Sequence, residues 1–162
     1  MFYQIIKSPI GPYLAVDSGK GLSCLEHVKD FDNISSIIAR MEEKATPLLM
    51  ETERQITDYF KGELTQFNLP LDTNGTVFQE QVWQALRDIP YGQVRSYQDI
   101  AIAIGNPKAV RAVGGANNRN PISIVTPCHR VIGKNGSLVG YGGGVDVKQS
   151  LLELENSEYN HK

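Results

Sequence analysis

Cysteine is scarce: Cys24 and Cys128 are the only two in 162 residues. Two thiols so far apart, in a chain long enough to bury its own core, argue against a disulfide staple. Free thiols fit a reducing compartment. Long apolar runs are missing too, and nothing approaches the roughly 18 residues of a membrane-spanning helix. Met1–Ile10 has neither the basic stretch nor the apolar centre of a secretory signal. The expectation is a cytoplasmic protein. Net charge is small, −2 at pH 7, which by itself argues against a polyanion as partner. The hydrophobic fraction of 41% is enough for a packed core. The length suits one domain, or one domain with a small companion.

The small net charge hides an uneven distribution. Met1–Glu80 carries seven Lys/Arg and twelve Asp/Glu, a net −5. Gln81–Asn135 carries Arg87, Arg95, Lys108, Arg111, Arg119, Arg130 and Lys134 against Asp88 and Asp99, a net +5. Such a segment is either a solvated face or the footprint of a polyanion partner.

Local patterning divides the chain in two. Phe2–Ile6, Tyr13–Val16 and Leu22–Val28 read as strands, separated by Gly/Pro turns. Helices are expected near Asn33–Glu43 and over Pro47–Phe60, the second with Leu48, Ile56, Tyr59 and Phe60 on one face. Lys61–Thr76, with Gly62, Pro70, Asn74 and Gly75, reads as a linker. Beyond it, Thr76 and Gln79 form a capping-box signature ahead of Phe78, Val82, Ala85, Leu86 and Ile89 at helical spacing. A second helix starts at Ser96–Asp99, with Ile100, Ala103 and Ile104 inward. A third runs from about Pro107 to Asn117. The expectation is an α/β (α+β) chain: a small mixed α/β domain with a β-sheet over residues 1–75, then a mostly helical domain over 76–162. Helix, short Gly-containing turn, helix is the helix-turn-helix pattern, which small helical bundles also produce. Gly114 and Gly115 each cost about 1 kcal/mol against Ala inside a helix. They let its backbone approach either a neighbouring helix or the floor of a DNA groove.

Thr126-Pro127-Cys128-His129-Arg130-Val131 carries the chemistry. Pro121–Val125 reads as a short buried strand, and Pro127 constrains the turn after it. Most free cysteines are inert small hydrophobes. A thiol becomes a nucleophile beside a base or a positive charge, and His129 and Arg130 supply both. Neighbours in an extended chain point apart, so either the turn bends His129 toward the thiol or a water bridges them. The imidazole needs an orienting acceptor, and Glu155 is the candidate. Cys-His-Glu alone reads as a thiol hydrolase or a transferase.

Residues 76–155 resemble the O6-alkylguanine-DNA alkyltransferases, the methylated-DNA–protein-cysteine methyltransferase family. The resemblance rests on Phe78-Gln79-Glu80-Gln81-Val82-Trp83, Ile89-Pro90-Tyr91-Gly92, Ser96-Tyr97, Gly105-Asn106-Pro107, Arg111-Ala112-Val113-Gly114, Asn120-Pro121, Pro127-Cys128-His129-Arg130-Val131 and Gly140-Tyr141-Gly142-Gly143-Gly144. It implies that Cys128 accepts an alkyl group from O6-alkylguanine in duplex DNA, once and irreversibly, after base flipping. O4-alkylthymine is left open as a second lesion. His129 would take the thiol proton through a water, with Glu155 holding the imidazole. Asn120 would brace the active-site turn, and Tyr97 would assist the departing guanine. Arg111, Tyr97, Ala112, Gly115 and Arg119 would meet the DNA minor groove, with Arg111 filling the gap left in the base stack. Backbone groups of Cys128 and Val131 would read the guanine edge, and Tyr141, Gly142, Val131, Val139 and Lys148 would form the pocket. The resemblance implies a monomer and no cofactor.

Two positions depart from the family pattern: Gly142, where some members have Ser or Ala, and Val139, where a small residue is common. Some relatives carry a structural zinc, but Cys24-x-x-His27 is the only spare pair here and four closed ligands are not apparent. An alkyltransferase-like module that only recognises the lesion would lack the reactive cysteine, which is present. A helix-turn-helix regulator would need an effector domain, which nothing in the chain demands.

Overall fold

The computed structural model describes residues 1–138, 141 and 144–156; Val139, Gly140, Gly142 and Gly143 lie outside the described residues. It divides into two compact units, Met1–Thr73 and Asn74–Lys162. No helix among the described residues is long and apolar enough to cross a membrane.

In the first unit, β1 (Phe2–Ile6), β2 (Tyr13–Asp17) and β3 (Leu22–His27) form an antiparallel meander. Strand β2 is central and buried along its whole length, so both sheet faces are covered. Leu14 and Val16 point to the face that also holds Ile34 of α1 (Phe31–Ile38). The helix expected over Asn33–Glu43 is shorter and earlier. Asp30 caps it by accepting from Asp32 N, and the chain then turns into β4 (Glu42–Glu43), parallel to β1. Unpaired backbone at the sheet edge draws these residues out of the helix: Glu42 N donates to Met1 O and Lys44 N to Tyr3 O.

Helix α2 (Pro47–Phe60) has its expected bounds, with Thr46 as cap and Pro47 in the first turn. Its buried stripe is Leu49, Thr52, Gln55, Ile56 and Tyr59, with Leu48 and Phe60 only half-buried. The expected linker is mostly part of this unit. The Gln55 side-chain amide pairs with the Asn68 backbone, and Leu22 exchanges backbone bonds with Pro70 and Asp72.

The second unit begins with α3 (Val77–Arg87), whose capping box pairs Thr76 and Gln79 reciprocally. After β5 (Arg95–Ser96), Ser96 and Asp99 make a second capping box at the start of α4 (Tyr97–Ala103). Ile100 and Ala101 are buried there, whereas Ala103 is exposed; a helix of seven residues turns a narrower face inward than the pattern suggested. Gly105, at φ +77°, makes the left-handed turn to α5. Helix α5 (Val110–Asn118) starts three residues later than expected, after a turn in which Ala109 N bonds Asn106 O.

Pro121–Val125 is a turn, not a strand. Asn120 captures Ile122 N at 3.0 Å, and Ile124 sits at φ 69°, a conformation a β-branched residue holds at a cost of about 1–3 kcal/mol. A 3-10 turn over Cys128–Arg130 leads into β6 (Val131–Ile132), parallel to β5, and α6 (Val145–Glu155) closes the described chain. The core joins Val82, Trp83, Leu86, Ile89, Ile100, Ala101, Val113, Ala116, Cys128 and Val131. Trp83 locks α3 to α5, its indole N–H donating to Ala116 O at 2.9 Å.

Candidate active site around Cys128

The turn before Cys128 is clamped from three directions. Cys128 N and the Asn120 amide both donate to Thr126 O, at 2.8 and 2.7 Å. Arg87 of α3 donates to Thr126 Oγ1 at 3.0 Å. Pro127 adds its fixed φ of −81°. The thiol is therefore delivered by an over-determined loop, which is what can hold Ile124 in its strained backbone state.

Cys128 is 6% exposed. Burial pushes its thiol up, and four groups pull the other way: the Asn120 side chain, the Lys148 charge, its own backbone and the Tyr141 hydroxyl. Lys148 is fully buried, and burial drives its ammonium down to about 8 while the nearby thiolate draws it back up. Arg130, expected to supply positive charge to the thiol, is committed elsewhere. Its Nε and one terminal nitrogen donate to the two Glu155 oxygens at 2.8 and 3.0 Å, and the other donates to Ile89 O at 2.7 Å. Lys148 is the cation that faces the thiol.

Glu155 closes the second half of the site. Its Oε2 lies 2.6 Å from His129 Nε2, and both side chains are buried. Burial works against the Glu155 charge, but His129 and Arg130 outweigh it and hold the carboxyl well below the usual range. A carboxylate accepts only, so Nε2 carries the proton and Nδ1 the lone pair. Burial holds the imidazole below its ordinary 6.5 despite Glu155. Nδ1 is buried with no hydrogen-bond partner among the described residues. That is a neutral base with its lone pair on Nδ1.

These shifts set a pH dependence. His129 and Glu155 both have folded values below their ordinary 6.5 and 4.5. The unfolded chain then binds more protons in acid, so their contribution is complete above the unfolded values and is lost as pH falls. These two groups make Tm fall steadily as the protein is acidified from about pH 6.5 through the carboxylate range, while Lys148, held down to about 8, adds a rise in Tm above about pH 7. Calorimetry from pH 8 to pH 4 checks this, and a constant Tm across that span contradicts it.

Tyr97, at the first position of α4, is half-buried and near the same thiol: burial raises its phenol, and the Cys128 charge adds to the rise. It lies over Gly114, where an added methyl group would stand 4.0 Å from the ring. Val131 has its side chain in the core, and its N–H bonds Cys128 O. Arg111, Ala112, Gly115 and Arg119 are all exposed. At 3.6 residues per turn they share an arc of about 100° on α5 and its cap residue Arg119, opposite the buried Val113 and Asn117. Cys24 is a different kind of thiol: burial and Glu26 push it up to about 12. His27 bonds Ile10 O at 2.7 Å, and among the described residues no group of three or more His, Cys, Asp or Glu could hold a metal.

Comparison with known proteins decides the family. Residues 77–157 match the model described as 6-O-methylguanine DNA methyltransferase, DNA binding domain, and residues 1–73 match its ribonuclease-like domain. The methylated-DNA–protein-cysteine methyltransferase of Methanosarcina barkeri is 50% identical, covering 97% of this chain and 98% of its own. The constitutive Bacillus subtilis protein of that name is 45% identical over 99% of both. The crystal structure of Mycobacterium tuberculosis OGT in complex with DNA superposes with a TM-score of 0.88 at 46% identity, covering 97% of this chain and 94% of that one.

The chain belongs to the 6-O-methylguanine DNA methyltransferase family.

For a member of this methyltransferase family, reading the sequence misses two side chains that shape the site, Arg87 and Asn117, and the Ile89 carbonyl that takes part of the Arg130 guanidinium. Each acts through a tertiary contact between residues 11 to 41 positions apart, and no local pattern encodes such a contact.

Proposed function

We propose that this chain repairs DNA by direct reversal, moving a methyl or other alkyl group from O6 of guanine onto Cys128. The observation that carries the reading is a buried thiol followed in the chain by a neutral, carboxylate-held histidine, in the unit that also presents Arg111, Ala112, Gly115 and Arg119 to solvent. The alkyl carbon is hidden in a stacked duplex, so the nucleotide must leave the stack. The slim face of α5 suits the minor groove, with Arg111 entering the vacated space.

The chemistry balances within the site. A water at His129 Nδ1 passes the thiol proton to the imidazole, and Glu155 stabilises the imidazolium. Lys148 and the Tyr141 hydroxyl stabilise the thiolate. Sγ attacks the alkyl carbon in line as the carbon–O6 bond breaks, and the electron pair leaves with guanine. Tyr97 gives the departing base a proton or a hydrogen bond. Backbone groups of Cys128 and Val131 read the guanine edge. The product is a thioether that no water reverses, so each molecule acts once. No cofactor enters any step. The protein works as a monomer in the cytoplasm, where its two unpaired thiols stay reduced.

The test is a titration with duplex DNA labelled in the methyl group of O6-methylguanine. Label is expected to move to protein and stop at one equivalent, however large the DNA excess. Continued turnover, or label released as methanol, contradicts the proposal.

A further inference from the structure

The inner face of α5 carries an amide that packing alone does not require. Asn117 is 2% exposed and lies beside Val113 and Ala116 on the buried side of the helix. Its Nδ2 donates to the Cys128 carbonyl at 3.5 Å, and its Oδ1 is buried with no partner among the described residues. Turning the amide over would set Oδ1 against the Cys128 carbonyl oxygen, so the orientation is fixed and the acceptor stays unmatched. A buried, unmatched acceptor destabilises a fold, and an apolar residue of the same size would avoid that loss.

The other ties of the Cys128 turn arise elsewhere. Asn120 and Arg87 hold Thr126, and Glu155 holds His129 and Arg130. Asn117 instead reaches the peptide group of Cys128 itself, from the helix whose outer face bears Arg111, Ala112, Gly115 and Arg119. That carbonyl also receives Val131 N–H, so the two donors together fix the plane of the peptide next to the thiol-bearing carbon.

We infer that Asn117 is a positioning residue for alkyl transfer: its amide ties the Cys128 peptide to α5, so the helix that meets DNA also fixes where the thiol stands. The inference rests on the function proposed above. The unmatched Oδ1 is the stability cost of that tie.

Two variants separate positioning from folding. Asn117→Leu removes both the donor and the unmatched acceptor. Asn117→Asp keeps the shape, removes the donor and adds a buried charge. Tm, affinity for unmodified duplex and transfer rate constants are measured for both, with O6-methylguanine duplex and with free O6-benzylguanine. Both variants are expected to slow transfer about five- to tenfold on both substrates. Duplex affinity should be unchanged, and the Tm of Asn117→Leu should equal or exceed that of wild type. A wild-type rate in Asn117→Leu overturns the inference. So does a rate loss that follows Tm, seen only in Asn117→Asp or accompanied by a lower Tm in Asn117→Leu. Wild type assayed in parallel keeps the two claims apart: absence of transfer by wild type would remove the underlying function, not the role of one residue within it.

Discussion

Cys128→Ser is expected to lower alkyl transfer by at least about a thousandfold while leaving duplex affinity and Tm close to wild type. The hydroxyl occupies nearly the same space, so the clamp of Asn120, Arg87 and Pro127 survives. What is lost is a group that ionises. Lys148, Tyr141 and the Asn120 side chain work against burial at the thiol, although burial still prevails, and a hydroxyl lies much further from ionisation. Cys24→Ser should transfer at the wild-type rate, because that thiol is held up near 12 by burial and Glu26. Single-turnover assays with O6-methylguanine duplex check both. Substantial transfer by Cys128→Ser would move the acceptor elsewhere.

Arg111→Ala should slow repair of a duplex by roughly ten- to a hundredfold, with little change in reaction with a free O6-alkylguanine base. Arg111 is exposed on the same arc as Ala112 and Gly115, and its long side chain rises beside these two small residues near the start of the helix. A free base needs no extraction from a stack, so the thiol chemistry should continue without the wedge. If Arg111 instead lowered the thiol's ionisation, both substrates would suffer equally. If it were only a surface charge, neither would. Rate constants for the two substrates, taken on wild type and variant, separate the three cases.

Much of this site is written in short-range patterns. Thr76 with Gln79, and Ser96 with Asp99, announce two helix starts because a capping box is satisfied within four residues. Cys128, His129 and Glu155 are legible because nucleophile, base and orienting carboxylate are chemically distinctive, and His129 and Glu155 do meet. Less legible are features fixed by contacts distant in sequence. Pro121–Val125 looks like a strand because Ile122, Ile124 and Val125 have strand-forming side chains. The Asn120 amide bonds both Ile122 N and Thr126 O and folds the segment into a turn. Arg130 beside Cys128 in sequence looks like the thiol's cation. The 3-10 turn sends its guanidinium to Glu155 and Ile89, and Lys148, from a helix further along the chain, takes the place near sulfur. Glu42–Glu43 carries no strand signal, since pairing with the open edge of β1 is a property of the sheet.

The central claim is that one thiol, at Cys128, becomes the final resting place of the alkyl group. Peptide mass spectrometry tests it directly, after incubation with an excess of O6-methylguanine duplex. The account predicts one added methyl group per molecule, located on the peptide containing Cys128, with the Cys24 peptide unmodified. A methyl group on Cys24, a mixture over both thiols, or an unmodified protein beside repaired DNA would contradict it.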